Sequence, residues 1–196
     1  MGLIEEKAAL RSQIRTERKS IGAAKRKDDS DSLAERLFSL PAVRSAKTVA
    51  VYQAIGSEIS VTDLVRALRH TNPTVNIAYP AVYSEGLMVF VVVEQGENPL
   101  FMQNPAGVFP LETIPKERIL NPEDIDIMVV PGIAFDGHCR RLGQGGGYYD
   151  RILPKLPPSC LTLGVCFEEQ LVDRVPCDVH DKRVDYVVTP SRLIQP

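Results

Sequence analysis

The chain has 196 residues, a length that predicts one domain spanning residues 1–196 at about 150 residues per domain. Hydrophobic residues make up 44% of it and charged residues 24%, a balance that excludes a disordered, collagenous or coiled-coil protein. The 23 basic residues are offset by 25 acidic ones, so the net charge of −2 gives no bulk attraction to nucleic acid.

Apolar runs, the first residues and the cysteine spacing indicate in which cellular compartment the protein is found. The longest apolar run, at residues 87–93, is far shorter than the roughly eighteen residues of a membrane span. The first residues are charged and lack the features of a signal peptide, so we expect a cytoplasmic protein that binds no membrane, and take it to be a monomer. Free thiols are expected rather than disulfides or a zinc site, because no C-x-x-C spacing occurs among Cys139, Cys160, Cys166 and Cys177.

Two stripes of side chains predict a helix over the first twenty residues. The apolar stripe contains Leu3, Leu10, Ile14 and Ile21. The basic stripe, centred about 80° away on the helical wheel, contains Lys7, Arg11, Arg15 and Arg18. Basic side chains therefore border the buried face of this helix. A second helix is predicted from about Ser30 to Leu40, where Pro41 ends it.

Strands alternate with helices from Thr48 onward. Residues 48–52 (TVAVY) predict a buried strand, and Ser60 with Asp63 has the pattern of a capping box that opens a helix through His70. Further strands are predicted at residues 75–79, 87–93, 125–130, 161–166 and 184–188, with helical segments after Gly147 and at 168–171. The alternation predicts an α/β three-layer sandwich with a mostly parallel sheet, which binds ligands at the carboxyl ends of its strands.

A glycine-rich loop at residues 130–151, VPGIAFDGHCRRLGQGGGYYDR, is the most informative segment. It leaves an apolar strand, crosses the glycines and enters a predicted helix, whose dipole would favour an anion. Backbone N–H groups can converge on one point without obstruction at Gly143, Gly145, Gly146 and Gly147. Arg140 and Arg141 can add charge-assisted hydrogen bonds of about 1.5–3 kcal/mol each. We therefore expect this loop to bind phosphate.

The loop matches neither of two common phosphate-binding motifs. It lacks the G-K-[ST] ending of a P-loop, and Tyr148 stands where a dinucleotide fingerprint requires glycine. The alternative is a flexible surface loop. The apolar strand, the paired arginines, the two tyrosines and the acid on its flanks favour phosphate binding over that alternative.

Two carboxylates suit a magnesium ion bound to phosphate. Asp150 follows the glycines and Asp181 lies in the run CDVHDKRVDY, and carboxylates of this kind are the hard oxygen ligands that Mg²⁺ prefers. The alternatives are that Asp150 only complements a helix start and that Asp181 pairs with Lys182 or Arg183. A zinc site is not expected, because the C-x-x-H spacing of residues 177–180 is too weak a signal alone.

The segments RLGQGGGYYDR and VPGIAFD resemble the signature of the 5-formyltetrahydrofolate cyclo-ligase family, also called 5,10-methenyltetrahydrofolate synthetases. The resemblance continues through the pair Lys7 and Arg11, through QAIGSEIS and AYPAVY, and through FEEQLVDRVPCDVHDKRVDYVVTP. It implies a fold shared with sugar-phosphate isomerases and CoA transferases. It also implies conversion of 5-formyltetrahydrofolate to 5,10-methenyltetrahydrofolate, with ATP as co-substrate and Mg²⁺ as cofactor.

The resemblance also implies roles for particular residues. ATP would be bound by Lys7, Arg11, Arg141, Leu142, Gly143, Gln144, Gly145, Gly146, Gly147, Tyr148 and Tyr149. Arg141 and Tyr149 would be catalytic, and Asp150 and Asp181 would hold the magnesium ion. Folate would be bound by Glu58, whose carboxylate can accept from the N–H groups of a pterin, and by Tyr148. For one of the two tyrosines, helix packing is the alternative role.

The sequence departs from the family pattern at three positions. Basic residues are common in the family at the positions of Gln144 and Gly146, and an acidic residue at that of Phe109, within residues 104–111. Phosphate charge is thus left to Arg141, the basic stripe and the metal. Two other functions stay open: a sugar-phosphate or CoA-ester enzyme of the same fold, and a nucleotide or folate sensor without turnover.

Overall fold

A mixed sheet of eight strands forms the centre of the computed structural model, which describes residues 2–83, 87–97 and 114–196. In chain order the strands of these residues are β1 (Thr48–Ala50), β2 (Asn76–Tyr83), β3 (Leu87–Val92), β4 (Ile119–Leu120), β5 (Ile127–Pro131), β6 (Ala134–Asp136), β7 (Arg141–Leu142), β8 (Leu161–Val165), β9 (Leu171–Val172), β10 (Tyr186–Val188) and β11 (Leu193–Ile194). The helices of the same residues are α1 (Leu3–Ser20), α2 (Ala23–Ser39), α3 (Pro41–Ser45), α4 (Thr62–Thr71) and α5 (Tyr148–Ile152).

The central sheet is parallel in its middle and antiparallel at its edges. Its strand order is β11-β10-β8-β5-β1-β2-β3-β4, and the neighbours from β10 to β2 run parallel. Strands β11, β3 and β4 pair antiparallel. A small second sheet has the order β7-β6-β9. The predicted α/β fold with a mostly parallel sheet is confirmed.

Successive side chains of the central strands enter two different cores. Val49 of β1 belongs to the core that contains Leu37 of α2 and Leu64 of α4. Ala50 belongs to the opposite core, with Ile152 of α5. Burying a leucine or valine side chain stabilises such a core by about 1.5–3 kcal/mol. The sheet therefore lies between two helical layers, as the sequence predicts.

Helix α1 packs on the small sheet. Its Ile14 is 1% exposed and shares a cluster with Ile133, Ala134, Leu142 and Val175. The predicted amphipathic helix is confirmed, although Leu3 and Leu10 are only partly buried. Because the basic stripe borders this contact, it faces the segment that follows β7.

Two predictions about helix starts are wrong. Helix α2 begins at Ala23, because the polar turn before Ser30 has no apolar periodicity and is stabilised instead by the ion pairs Lys25–Asp29 and Lys27–Asp31. Helix α2 ends at Ser39, within one residue of the predicted end, and Pro41 then opens the short helix α3, at a position where proline is tolerated. No capping box forms, because Ser60 accepts a hydrogen bond from the Thr62 N–H, 3.2 Å away, and the N-cap is Val61.

The predicted strands are confirmed, with ends that differ by up to four residues. The segment 168–171 forms a single 3-10 turn at Glu168–Gln170 and then strand β9. Residues 104–111 with Phe109 lie outside the described residues. No helix in the described ranges has the length and apolarity needed to cross a membrane. All four cysteines carry free thiols, as expected.

Candidate active site

The glycine loop lies at the carboxyl end of β5 and leads into α5. Gly147, the N-cap of α5, has φ +66°, a backbone conformation that residues other than glycine rarely adopt. Within the described residues, the backbone N–H groups of residues 143–147 donate no hydrogen bond. Helix α5 has only five residues, so its dipole is a small contribution, contrary to the sequence-based expectation. Unpaired N–H groups on a turn are suited to binding an anion.

Arg141 is buried beneath this loop. Its side chain is 3% exposed, and its Nη2 donates to the Asp150 carboxylate 2.9 Å away. The guanidinium lies over the Tyr149 ring, 5.5 Å from its centroid, and Nε has no partner among the described residues. A Cβ at position 143 would come within 2.6 Å of Arg141 Nη1, so a larger residue there would force the guanidinium to shift. Arg141 thus presents a desolvated positive charge.

Arg140 does not join Arg141 at the cleft. Its guanidinium Nη1 lies 3.6 Å from the carboxylate of Asp136. The predicted pair of phosphate-binding arginines is therefore reduced to one, because Arg140 belongs to the turn before β7 and its guanidinium lies beside Asp136.

The two tyrosines have different environments. The Tyr149 hydroxyl oxygen is buried and has no partner among the described residues. Burial raises the pKa of Tyr149 against the opposing charge of Arg141, so the hydroxyl keeps its proton and remains a donor. Tyr148 lies beneath Arg151, whose guanidinium is 5.2 Å from the ring centroid. The Tyr149 ring thus packs against the core that contains Ile152, while its hydroxyl group is left to hydrogen-bond with a ligand.

Two side chains of the basic stripe contact the glycine loop directly. Arg11 donates from Nε to the Gly143 carbonyl at 2.8 Å, and its guanidinium lies beside Gly145. Arg15 donates to the Gln144 side-chain oxygen at 2.7 Å. Helix α1 therefore supports the glycine loop as well as adding charge to it.

Glu58 lies across the cleft from the loop. Its carboxylate accepts from the Gln144 amide at 3.1 Å and from the Ile55 N–H at 3.0 Å, and Arg18 Nη1 lies 4.0 Å away. The cleft holds about 430 Å³ of empty space, part of it open to solvent. Its lining comprises Glu58, Pro131, Gly132, Arg141, Gly143, Gln144, Gly146, Gly147, Tyr148, Tyr149 and Asp150.

The two candidate magnesium ligands are both ion-paired. Asp150 pairs with Arg141, and it accepts a longer hydrogen bond, 3.3 Å, from the Lys182 N–H. Asp181 pairs with Lys7 of α1, rather than with Lys182 or Arg183. Burial lowers the pKa of Lys7, but the hydrogen bonds and charges of Asp181 and Asp178 outweigh that effect and raise it.

A magnesium ion can be accommodated by this donor set. The described residues contain no group of three or more acidic, histidine or cysteine side chains that could hold a metal. Mg²⁺ in nucleotide sites uses one or two carboxylates together with phosphate oxygens and water. Asp150 and Asp181 are two carboxylates of this kind, and the hydrogen bond from the Lys182 N–H to Asp150 brings the segment that carries Asp181 up to Asp150.

Most of the predicted site residues line one cleft. Leu142 lies outside the lining, because its side chain is buried with Ile14 and only its backbone is available, and Gly145 lies outside it as well. Lys7, Arg11 and Asp181 lie outside the lining but contact the loop or one another. Sequence reasoning missed Pro131 and Gly132 of the lining. They directly follow the predicted strand, and that position is the signal that could have found them.

The fold and the cleft define an α/β protein with a glycine-rich loop at the carboxyl end of a parallel strand. A family model for the 5-formyltetrahydrofolate cyclo-ligase family matches residues 3–190. The chain belongs to that family and is an enzyme, a ligase.

Relatives and solved structures agree with this assignment. The 5-formyltetrahydrofolate cyclo-ligase of Escherichia coli is 29% identical over 92% of this chain and 98% of its own length. That of Mycolicibacterium smegmatis is also 29% identical, over 96% and 95%. The NMR structure of Aquifex aeolicus 5,10-methenyltetrahydrofolate synthetase superposes with a TM-score of 0.79 at 29% identity, covering 96% of this chain and 92% of that one.

Proposed function

We propose that this chain converts 5-formyltetrahydrofolate to 5,10-methenyltetrahydrofolate in an ATP- and Mg²⁺-dependent reaction that releases ADP and phosphate. Membership of the family supports the reaction class. The observation that carries the ATP requirement is the buried Arg141 guanidinium, with an unpartnered Nε, beneath a loop whose N–H groups are free within the described residues. A triphosphate would satisfy both.

The chemistry requires an activated oxygen. The formyl oxygen on N5 attacks the γ-phosphorus of ATP, the bond from that phosphorus to the bridging oxygen breaks, and ADP leaves with the electron pair. N10 then attacks the formyl carbon. The carbon–oxygen bond breaks, phosphate leaves, and loss of the N10 proton completes the methenyl bridge. No protein nucleophile takes part, so catalysis depends on positioning and charge neutralisation.

Each side of the cleft has a role in this scheme. Arg141 and the amides of residues 143–147 bind the phosphates, with Lys7 and Arg11 adding charge from α1. The Tyr149 hydroxyl donates to an oxygen of the reacting groups. Glu58 accepts from the pterin N–H groups, and Tyr148 contacts the folate or ATP.

Asp150 and Asp181 would hold the magnesium ion. When bound, Mg²⁺ neutralises charge on the phosphate oxygens. Arg141 pairs with Asp150, and Lys7 pairs with Asp181. When MgATP binds, the phosphates would pair with the two basic side chains and the magnesium ion with the two carboxylates. The protein contributes the dry, fixed position of Arg141.

One assay tests the proposal against the two other functions. The protein is given 5-formyltetrahydrofolate, ATP and MgCl₂, and methenyl absorbance is followed together with ADP. The proposal requires the two products in equal amounts. Binding of both ligands without turnover would indicate a sensor, and neither binding nor turnover would point to a sugar-phosphate or CoA-ester enzyme.

A further inference from the structure

A buried carboxylate lies behind the cleft and outside its lining. Asp136, the last residue of β6, has no exposed surface. Its Oδ1 accepts the N–H groups of His138, 2.9 Å away, and of Arg140, 3.1 Å away. Its Oδ2 accepts the N–H of Val175 at 2.9 Å and lies 3.6 Å from the Arg140 guanidinium. Burying a carboxylate is costly unless it is paired and hydrogen-bonded in this way.

One carboxylate oxygen closes the hairpin that carries Arg141. Residues 137–140 form the turn between β6 and β7, and Arg141 is the first residue of β7. Within this turn Cys139 has φ +55°, an uncommon conformation for a residue other than glycine, so the turn needs support from its surroundings. The two hydrogen bonds to Oδ1 bracket Cys139 and hold the turn.

The other oxygen reaches the segment that carries Asp181. Val175 is fully buried, and the chain continues from it to Asp178 and Asp181, which contact Lys7. Lys182 then donates its N–H to Asp150. A single buried side chain thus links the two segments from which opposite sides of the phosphate site are built.

We infer that Asp136 is a positioning residue, which sets the Arg141 hairpin and the 175–182 segment at the spacing that MgATP requires. The inference deepens the proposed function and rests on it, since the site it organises is the proposed phosphate site. Asp136 does not line the cleft, so it acts on the site only by holding the segments that carry Arg141 and Asp181.

The chain offers a control in Asp126, a residue that is exposed where Asp136 is fully buried. Its carboxylate also accepts two backbone N–H groups, from Lys47 at 2.7 Å and Thr48 at 2.9 Å. It directly precedes β5, whereas the cleft begins where β5 ends, about 17 Å along the strand at 3.3 Å per residue. A substitution there tests the loss of a structural carboxylate without altering the site.

The experiment compares Asp136→Asn with Asp126→Asn. For Asp136→Asn we expect the KM for ATP and the magnesium concentration at half-maximal rate to rise at least tenfold, while the KM for 5-formyltetrahydrofolate changes less than twofold. For Asp126→Asn we expect melting at a lower temperature but all three constants within twofold of the wild type. If Asp136→Asn lowered the melting temperature and left all three constants within twofold of the wild type, Asp136 would be purely structural and the inference would be overturned.

Two measurements separate this inference from the proposed function. Calorimetric titration with MgATP follows the phosphate site without turnover, so a wild type that binds MgATP tightly but forms no methenyl product contradicts only the proposed reaction. If Asp136→Asn does not fold, amide exchange of the wild type decides. MgATP should then slow exchange at His138, Arg140 and Val175 together, and unchanged rates at all three would overturn the inference.

Discussion

Arg141 concentrates the chemistry of the cleft in one side chain. It is buried, it pairs with Asp150, and it keeps one nitrogen without a partner within the described residues. Burying a positive charge of this kind costs free energy, which the Asp150 carboxylate offsets in part and an arriving anion would offset further. A residue held in that state is most useful in the transition state, where charge on the phosphate is redistributed.

Replacement of Arg141 by Ala should lower kcat/KM at least a hundredfold, about 2.7 kcal/mol of transition-state stabilisation. The reason is the loss of a charge-assisted contact in a dry site, which also leaves Asp150 without its partner. Arg141→Lys should recover only part of the loss, because an ammonium group lacks the planar fork. Steady-state kinetics measure both variants.

Arg66→Ala is the control for Arg141. Arg66 lies on α4, pairs with the exposed Asp63 and is distant from the cleft lining. Its removal should leave kcat/KM unchanged. Equal activity of the Arg141 and Arg66 variants would remove Arg141 from the site.

The Tyr149 hydroxyl gives a prediction in which activity and stability move separately. Tyr149→Phe should lower kcat/KM roughly tenfold without lowering the melting temperature, because a buried hydroxyl with no partner in the described part of the chain does not stabilise the fold there. Tyr52→Phe should do the reverse, since the Tyr52 hydroxyl donates to the Ile59 carbonyl. Kinetics and thermal melting of the two variants test the pair, and a destabilised Tyr149→Phe with normal kinetics would contradict it.

At the scale of elements, helix α1 holds its basic side chains beside the cleft by burying Ile14 against the small sheet. Ile14→Ala should destabilise the protein by about 2–5 kcal/mol and raise the KM for ATP, because Arg11 and Arg15 of the same helix support the glycine loop. Ile4→Ala is the control, since Ile4 is 84% exposed. Denaturant unfolding and kinetics measure the two effects, and a destabilised variant with an unchanged KM would separate α1 from ATP binding.

The longer elements follow from the sequence, and the short ones do not. An apolar run such as residues 161–166 identifies a strand by itself. The two-residue strands β4, β7, β9 and β11 have no such signal, because they form only where a neighbouring strand is already in place. The start of α2 was missed for a related reason, since its first turns are polar and its stability comes from ion pairs.

The site is predictable by residue type but not by partner. Glycines, arginines and acids mark the loop in the sequence, yet the choice between Arg140 and Arg141 depends on which of them belongs to the turn before β7 and which to the strand. The pairing of Asp181 with Lys7 joins residues 174 positions apart, so no local pattern contains it. Asp136 was invisible as a candidate because its partners are backbone N–H groups, which every sequence has.

At the scale of the whole molecule, a chain of net charge −2 gathers Lys7, Arg11, Arg15, Arg18 and Arg141 around one cleft. A ligand that binds only the folded state stabilises it by RT ln(1 + [L]/Kd), about 2.7 kcal/mol at a hundred times Kd. For a protein of this size that corresponds to a rise in melting temperature of about 5–10 °C. Because these basic side chains lie around the glycine loop, which is proposed to bind phosphate, the rise in melting temperature caused by a nucleotide should depend on its number of phosphates.

Melting curves with MgATP, MgADP and MgAMP at equal saturating concentrations test this dependence. We expect the rise to be largest for ATP, smaller for ADP and close to zero for AMP, since each phosphate removed leaves more of the buried positive charge unpaired. Chelation of magnesium with EDTA should reduce the rise caused by ATP, because Asp150 and Asp181 then face the triphosphate without a bridging cation. Equal shifts for AMP and ATP would mean that the nucleotide is held by its base, and the glycine loop would lose its assigned ligand.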